Sequence, residues 1–292
     1  FNTLGKRVLG EDFAELASGG EAPPPVELKT IADVAHRYEL VDTAEKRKDL
    51  IQQLSGLAAF CFDVETTGLD VKCCGLVGIA FSWEAHGGFY MPVPAERAKA
   101  LALLDEFRPV FEGSAEKVGH NLKYDLGVLR WHGIIVSGPF FDTMLAAALI
   151  DPDGRRGMDH LAQTLLNYQP IAISELIGEK GDEQLGMNLV PLDEIAEYAV
   201  EDADITWQLA ELFREKIEEM GQRRVFYEIE CPLIPVLVEM EHEGVRMESE
   251  VLDAMARDFQ DHIEETAARI YELSGEQFNL NSGQQLGSIL FE

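Results

Sequence analysis

The chain has 292 residues, with 24 Lys and Arg against 53 Asp and Glu, a formal charge of −29. That balance argues against a broad nucleic-acid-binding surface, which displaces counterions with net positive charge. It is compatible with a metal-dependent enzyme that handles a short stretch of a polyanion, and it hints that a basic portion able to hold a duplex is missing from this chain. Hydrophobic residues make up 46%, as in ordinary globular proteins. No apolar run approaches the roughly 18 residues of a membrane span, and no signal peptide is visible. The cysteines, Cys61, Cys73, Cys74 and Cys231, have no zinc spacing. Adjacent Cys73 and Cys74 are a poor disulfide pair, so a reducing, cytoplasmic setting is expected.

Residues 1–35 read as an irregular arm or linker, with Gly19-Gly20 and Pro23-Pro24-Pro25 as punctuation. Tyr38 to Val41 is a short strand candidate. Thr43 caps an expected helix through Leu50 and Leu54, ending at Gly56. Strands follow over 58–64, Leu76 to Phe81 and Gly88 to Val93, the last after the turn-like His86-Gly87-Gly88. Their spacing predicts hairpin-linked antiparallel neighbours. A helix is expected over 95–107. Lys117 to His120 leads through a short strand into a helix carrying Lys123, Asp125 and Leu129. Ile134 to Ser137 reads as extended and Asp142 to Ile150 as an apolar helix.

Residues 151–190 are loop-rich, with one helix near Leu161–Leu166 and a poorly patterned, mobile stretch over Gly178 to Leu189. A strong helix starts after Pro191, carries Tyr198, Asp202 and Trp207, and runs to about Glu219. Gly221 marks a boundary. A helix over 223–242 is expected to break near Pro232 and Pro235. Ser249 is placed as the cap of a long helix to Leu273, and Ser282 with Gln285 has the pattern of a capping box. The chain stops at Glu292 inside that helical pattern, so truncation within a domain is expected. Helices alternating with an initially antiparallel sheet make this an α/β fold.

Phe60-Cys61-Phe62-Asp63-Val64-Glu65-Thr66-Thr67-Gly68-Leu69 carries the chemistry. Residues two apart on a strand share a face, so Asp63 and Glu65 present two carboxylates side by side at the end of a buried strand. That pairing is costly without compensating charge, and a divalent cation is the simplest compensation. Surface carboxylates at a strand end are the plainer alternative. Asp125 lies in Gly119-His120-Asn121-Leu122-Lys123-Tyr124-Asp125. Tyr198 and Asp202, four apart, share a helix face, where a phenol and a carboxylate can address one water or metal. Packing on the core is the competing role for Tyr198. His120 reads as a polar edge residue or substrate contact rather than a ligand, and Lys123 as a strand contact or a solvated lysine.

These segments, in order and widely separated, resemble the three motifs of the four-acid (DEDD) 3′–5′ exonucleases of RNase H-like fold. Phe62-Asp63-Val64-Glu65-Thr66-Thr67-Gly68-Leu69 resembles the first. Asn121-Leu122-Lys123-Tyr124-Asp125 resembles the second, and Tyr198-Ala199-Val200-Glu201-Asp202-Ala203-Asp204 the third. Phe226 to Leu237 and Glu243-Gly244-Val245 look like the entry into a family A DNA polymerase domain, and Phe278 to Phe291 like the base of its thumb. The resemblance covers about 36–292 and implies an exonuclease over 36–220, a mixed sheet flanked by helices, followed by a mostly helical polymerase segment over 221–292 without palm or fingers, hence without polymerisation.

The same resemblance implies two Mg²⁺ or Mn²⁺ ions held by Asp63, Glu65, Asp125 and Asp202, with Tyr198 orienting the attacking water. It implies release of deoxynucleoside 5′-monophosphates from a single-stranded or frayed DNA 3′ end, as in proofreading, by a monomer with no membrane attachment. Thr66, Leu69, His120, Asn121, Lys123 and Tyr124 are its expected substrate contacts. The family often has glutamine at His120 and another residue at Gly68. An impaired, purely structural exonuclease and an RNA-trimming enzyme of the same fold remain as rivals.

Overall fold

The computed structural model describes residues 28–179, 181 and 184–291. The Gly and Pro punctuation of the arm lies outside the described residues. The chain divides into two compact units, Phe1–His242 and Glu243–Glu292.

Alternating large apolar residues build the centre of the first unit. Phe60, Phe62 and Val64 are buried on one face of β2 (Ala59–Thr66), while Asp63 and Glu65 take the other. β1 (Arg37–Leu40) precedes it, joined by helix α1 (Ala44–Ser55), whose first turn is capped where Lys46 N–H donates to Thr43 Oγ1. β3 (Leu76–Glu84) and β4 (Gly87–Pro92) form the expected hairpin beside β2. β5 (Glu116–Gly119) runs parallel to β2, and β6 (Phe140–Asp142) parallel to β5. The mixed sheet has the order β1-β4-β3-β2-β5-β6, with β1 parallel to β4.

The apolar face of the sheet is covered by α2 (Arg97–Phe111), whose aromatic residues interleave with those of the strands. Phe62 meets Phe111 edge-on with ring centroids 5.3 Å apart, and Phe81 stacks on Phe107 at 5.8 Å. The helix extends past the expected end at 107, through Pro109. That proline sits in the last turn, where one missing N–H costs a single backbone bond.

α3 (Leu122–Trp131) and α4 (Thr143–Ile150) follow β5 and β6. Ile134 to Ser137, expected to be extended, pairs with no strand, and the sixth strand lies at Phe140–Asp142 instead. Only three residues long and without period-2 contrast, it is set by its pairing with Lys117–Gly119. α5 (Met158–Leu161) widens into a π-helical turn over Ala162–Leu166, and α6 (Ile173–Ile177) is short.

α7 (Leu192–Glu219) packs on β2, β3, β4 and β5. Asp193 and Glu194 in its first turn complement the helix dipole. Arg223–Val225, a π-helical turn Phe226–Glu230 and α8 (Cys231–Glu243) form a continuous helical segment. The break expected at Pro232 and Pro235 does not occur: a π-helical turn, in which Cys231 N–H donates to the Phe226 carbonyl, leads into Pro232, and Pro235 is carried inside α8.

In the second unit, α9 (Ser249–Ser274) and α10 (Gly283–Phe291) are joined by a loop. Ser249 is the first helical residue rather than the cap. Glu248 takes that place, its carbonyl accepting from Val251 and Leu252 N–H. Half of the expected capping box forms: Gln285 N–H donates to Ser282 Oγ, but the Gln285 side chain accepts from Asn279 N–H instead. Among the described residues no helix is long and apolar enough to cross a membrane.

Helix α7 approaches the sheet over Gly88. A Cβ there would lie 2.6 Å from Val200 Cγ1 and 2.7 Å from the Phe81 carbonyl oxygen. Gly88→Ala is therefore expected to cost about 1–3 kcal/mol and to lower the melting temperature by roughly 2–4 °C for each kcal/mol. An unchanged melting curve would show that the helix can lift off the sheet freely.

Candidate active site

β5 pairs with β2 at Ala59–Cys61, leaving the last part of β2 without a strand on that side. Asp125 of α3 faces that gap beside the Val64 backbone, which favours its charged form against the effect of burial. Asp63 and Glu65 project from the face of β2 that α7 covers. α7 supplies Asp202 and, one turn earlier, Tyr198.

Asp63, Glu65 and Asp202 each offer a carboxylate oxygen within 4.8 Å of the other two. Glu65 and Asp202 are buried and Asp63 is partly buried. Asp125 is buried as well and lies outside that group. Burial raises the pKa of all four acids above the ordinary carboxylate range. The charge of Asp63 adds to the rise at Glu65, Asp125 and Asp202. Burial, then the charges of Asp202, Glu65 and Asp63, push Tyr198 far up, so its phenol keeps its proton and remains a donor.

Asp125 Oδ2 and Asp202 Oδ1 are buried without a hydrogen-bond partner. Such orphaned carboxylate oxygens cost free energy unless a proton or a cation satisfies them. The acids are hard oxygen donors of the kind that hold Mg²⁺ or Mn²⁺, so the residues present fit a divalent cation.

The expected substrate contacts surround this cluster unevenly. Thr66 Oγ1 and Tyr124 Oη lie 2.6 Å apart, and each is 2.9 Å from the Gly68 carbonyl oxygen. This closes the turn after β2 and presents Leu69 at its tip, 88% exposed. Asn121 has φ +65°, a left-handed conformation that asparagine tolerates, and it occupies the position before α3. The His120 ring shares a 2.8 Å hydrogen bond with Thr143 Oγ1, and burial lowers its pKa to about 4, so it is neutral. Lys123 is turned to Glu241 of α8, its ammonium 2.7 and 2.9 Å from the two carboxylate oxygens.

Asp142 was missed in the sequence as a site-building residue. Its carboxylate accepts from Met144 and Leu145 N–H at the start of α4 and from Leu122 N–H at 2.8 Å at the start of α3. One buried acid thus fixes the N-termini of two helices and sets the backbone carrying Asn121 to Asp125. Its signal was local: an aspartate directly before the apolar run Thr143–Ile150 is a cap rather than a helical residue.

A mixed sheet of this order, with carboxylates at the end of its central strand and an acid-bearing helix across it, is the RNase H-like core of an exonuclease. A family model described as 3′–5′ exonuclease matches residues 38–218. DNA polymerase I of Chloroflexus aurantiacus is 35% identical over 285 residues, covering 95% of this chain and 29% of that protein. DNA polymerase I of Borreliella burgdorferi is 31% identical over 269 residues, covering 91% of this chain and 29% of that protein. The chain therefore spans less than a third of these relatives. Among solved structures, the POL domain of Pol1 from M. smegmatis, in complex with DNA primer-template and dNTP, superposes with a TM-score of 0.71 at 20% identity, covering 87% of this chain and 40% of that one. Brucella melitensis NrnC with bound Mg²⁺ superposes at 0.56 and 20% identity, covering 72% and 95%. At such identity these two speak for the fold. The chain belongs to the 3′–5′ exonuclease family of DNA polymerase I.

The raised carboxylates make stability depend on pH. Below their folded-state pKa values these groups hold protons that the unfolded chain has already released. The folded state therefore binds more protons, and stability falls as pH rises above the ordinary carboxylate range of about 4. In chelator at pH 8, Asp63→Asn is expected to melt higher than the wild type, on the order of a few °C, with the difference closing toward pH 4. Melting curves across that range check the sign.

Proposed function

We propose that this chain hydrolyses the 3′-terminal phosphodiester of DNA, releasing deoxynucleoside 5′-monophosphates, and that it is the proofreading part of a DNA polymerase I. The observation that carries this reading is the Asp63, Glu65 and Asp202 cluster beside the orphaned oxygens of Asp125 and Asp202. On this reading residues 36–220 are the exonuclease, residues 221–292 begin a polymerase domain including the base of its thumb, and the protein acts as a cytoplasmic monomer.

Asp63, Glu65 and Asp202 would hold one divalent ion, Mg²⁺ or Mn²⁺, and Asp63 with Asp125 a second. Bound there, the ions supply positive charge to the attacking and leaving oxygens of an in-line displacement. Tyr198 keeps its proton and orients the attacking water, a task Glu65 shares. The Thr66–Tyr124–Gly68 contacts hold Leu69 where it wedges beside the terminal base. Asn121 and His120 face the strand near the scissile phosphate. Lys123 reaches a phosphate after exchanging Glu241 for it, an exposed pair of small net stability. The terminal nucleotide has to leave the duplex to reach such a cluster, so single-stranded ends are preferred.

The test is nucleotide release from a labelled 3′ end in Mg²⁺. Chelation should abolish it and Mn²⁺ should restore it. Asp63→Ala should lower it by ~100-fold or more, the scale on which loss of one group stabilising developing charge acts. Undiminished release by the variant would overturn the assignment. Faster cleavage of RNA than of DNA would favour an RNA-trimming enzyme.

A further inference from the structure

Tyr90 of β4 is fully buried, and its hydroxyl has no hydrogen-bond partner. A buried orphan donor is unfavourable and calls for a partner absent from the resting molecule. The sheet register shows where this one points. Ala80 lies opposite Tyr90, and Gly78, two residues along β3, lies opposite both Pro92 of β4 and Glu65 of β2. Side chains two apart share a face, so Tyr90, Gly78 and Glu65 all belong to the face under α7.

Gly78 has no side chain because Tyr90 occupies that space. A Cβ on Gly78 would stand 2.0 Å from Tyr90 Oη, 2.2 Å from Cζ and 2.5 Å from Cε2. The phenol end of the ring therefore rests on the strand position directly beside Glu65. Directly opposed Cβ atoms on neighbouring strands lie about 4.5–5.5 Å apart, so the hydroxyl sits within the reach of a glutamate side chain. Glu65 is also the charged group whose field acts on this phenol.

We infer that Tyr90 is a positioning residue for Glu65, its hydroxyl, passed across the gap left by Gly78, donating to the Glu65 carboxylate in the loaded site. This inference rests on the nuclease reading of the site. The Glu65 carboxylate is an acceptor on the same face one strand beyond Gly78, and Tyr90 is a buried donor that reaches over Gly78 toward it. Tyr198 addresses the same cluster from the helix. Hydrogen bonds of this kind tighten in the loaded site rather than in the empty one, and groups behind a metal ligand fix its orientation.

The experiment compares wild type, Tyr90→Phe, Gly78→Ala and Asp63→Ala in Mn²⁺ titrations, melting in chelator, and single-turnover nucleotide release from a DNA oligonucleotide. Tyr90→Phe keeps the ring and removes the hydroxyl. It should melt in chelator at or above the wild-type temperature, because the lost group had no partner. Its Mn²⁺ affinity and its rate at saturating DNA should each fall on the order of 10-fold, with KM for the oligonucleotide unchanged. Gly78→Ala, which displaces the phenol, should reproduce the loss of Mn²⁺ affinity and melt lower. Wild-type Mn²⁺ affinity and rate in Tyr90→Phe would overturn the inference, as would a lower melting temperature with Mn²⁺ affinity intact, which is the signature of packing alone. If Asp63→Ala retains full activity, the nuclease reading itself fails, whatever Tyr90→Phe does.

Discussion

Everything in the first unit depends on holding like charges together. Asp63, Glu65 and Asp202 meet within 4.8 Å in a largely buried cleft, where burial and one another's charges raise their pKa values. In water such a group would fly apart or be screened; inside a protein each carboxylate resists ionisation instead. A rigid frame therefore has to supply the proximity, and a cation is the complement that turns repulsion into binding.

The frame achieves this by dividing β2 between two environments. Phe60, Phe62 and Val64 anchor the strand against the aromatic layer of α2, so β2 cannot rotate to release its acids. On the opposite face α7 is drawn close because Gly88 leaves room for Val200. This close approach brings Asp202 and Tyr198 to the strand. Beyond Asp202, the same helix turns Glu201 and Asp204 to satisfied structural roles. Glu201 accepts from Tyr168 and from Ile171 N–H, and Asp204 from Tyr38, Gln208 and His86 N–H. Neighbouring acids on one helix thus divide between the carboxylate cluster and structural bonds according to the face they occupy. Asp142 does the corresponding job at the far side, tying the starts of α3 and α4 to each other.

Most of the architecture was legible because local patterns agreed with the final environment. The alternation around Asp63 and Glu65, the Thr43 cap, the hairpin glycines and the long amphipathic α7 all read directly from residue order. The failures share a cause. β6 is too short to carry a period and exists through its neighbour β5. Asp142 was read as a helical residue because its role lies in bonds to a different helix. The turn before Pro232 and the continuation through Pro109 were decided by how the surrounding segments absorb a missing N–H. Lys123 looked like a free cation until α8 placed Glu241 beside it.

The order of residues by itself determined that two carboxylates would share one strand face and that a tyrosine and an aspartate would share one helix face, because those relations follow from backbone periods of 2 and 3.6. Tertiary structure alone decided that these faces meet, that Asp125 stands beside Val64 rather than within the three-acid group, and that Tyr90 lies across Gly78 toward Glu65. No period links β2 to a helix some 140 residues later, since the distance between them is set by side-chain volumes in the packed layers.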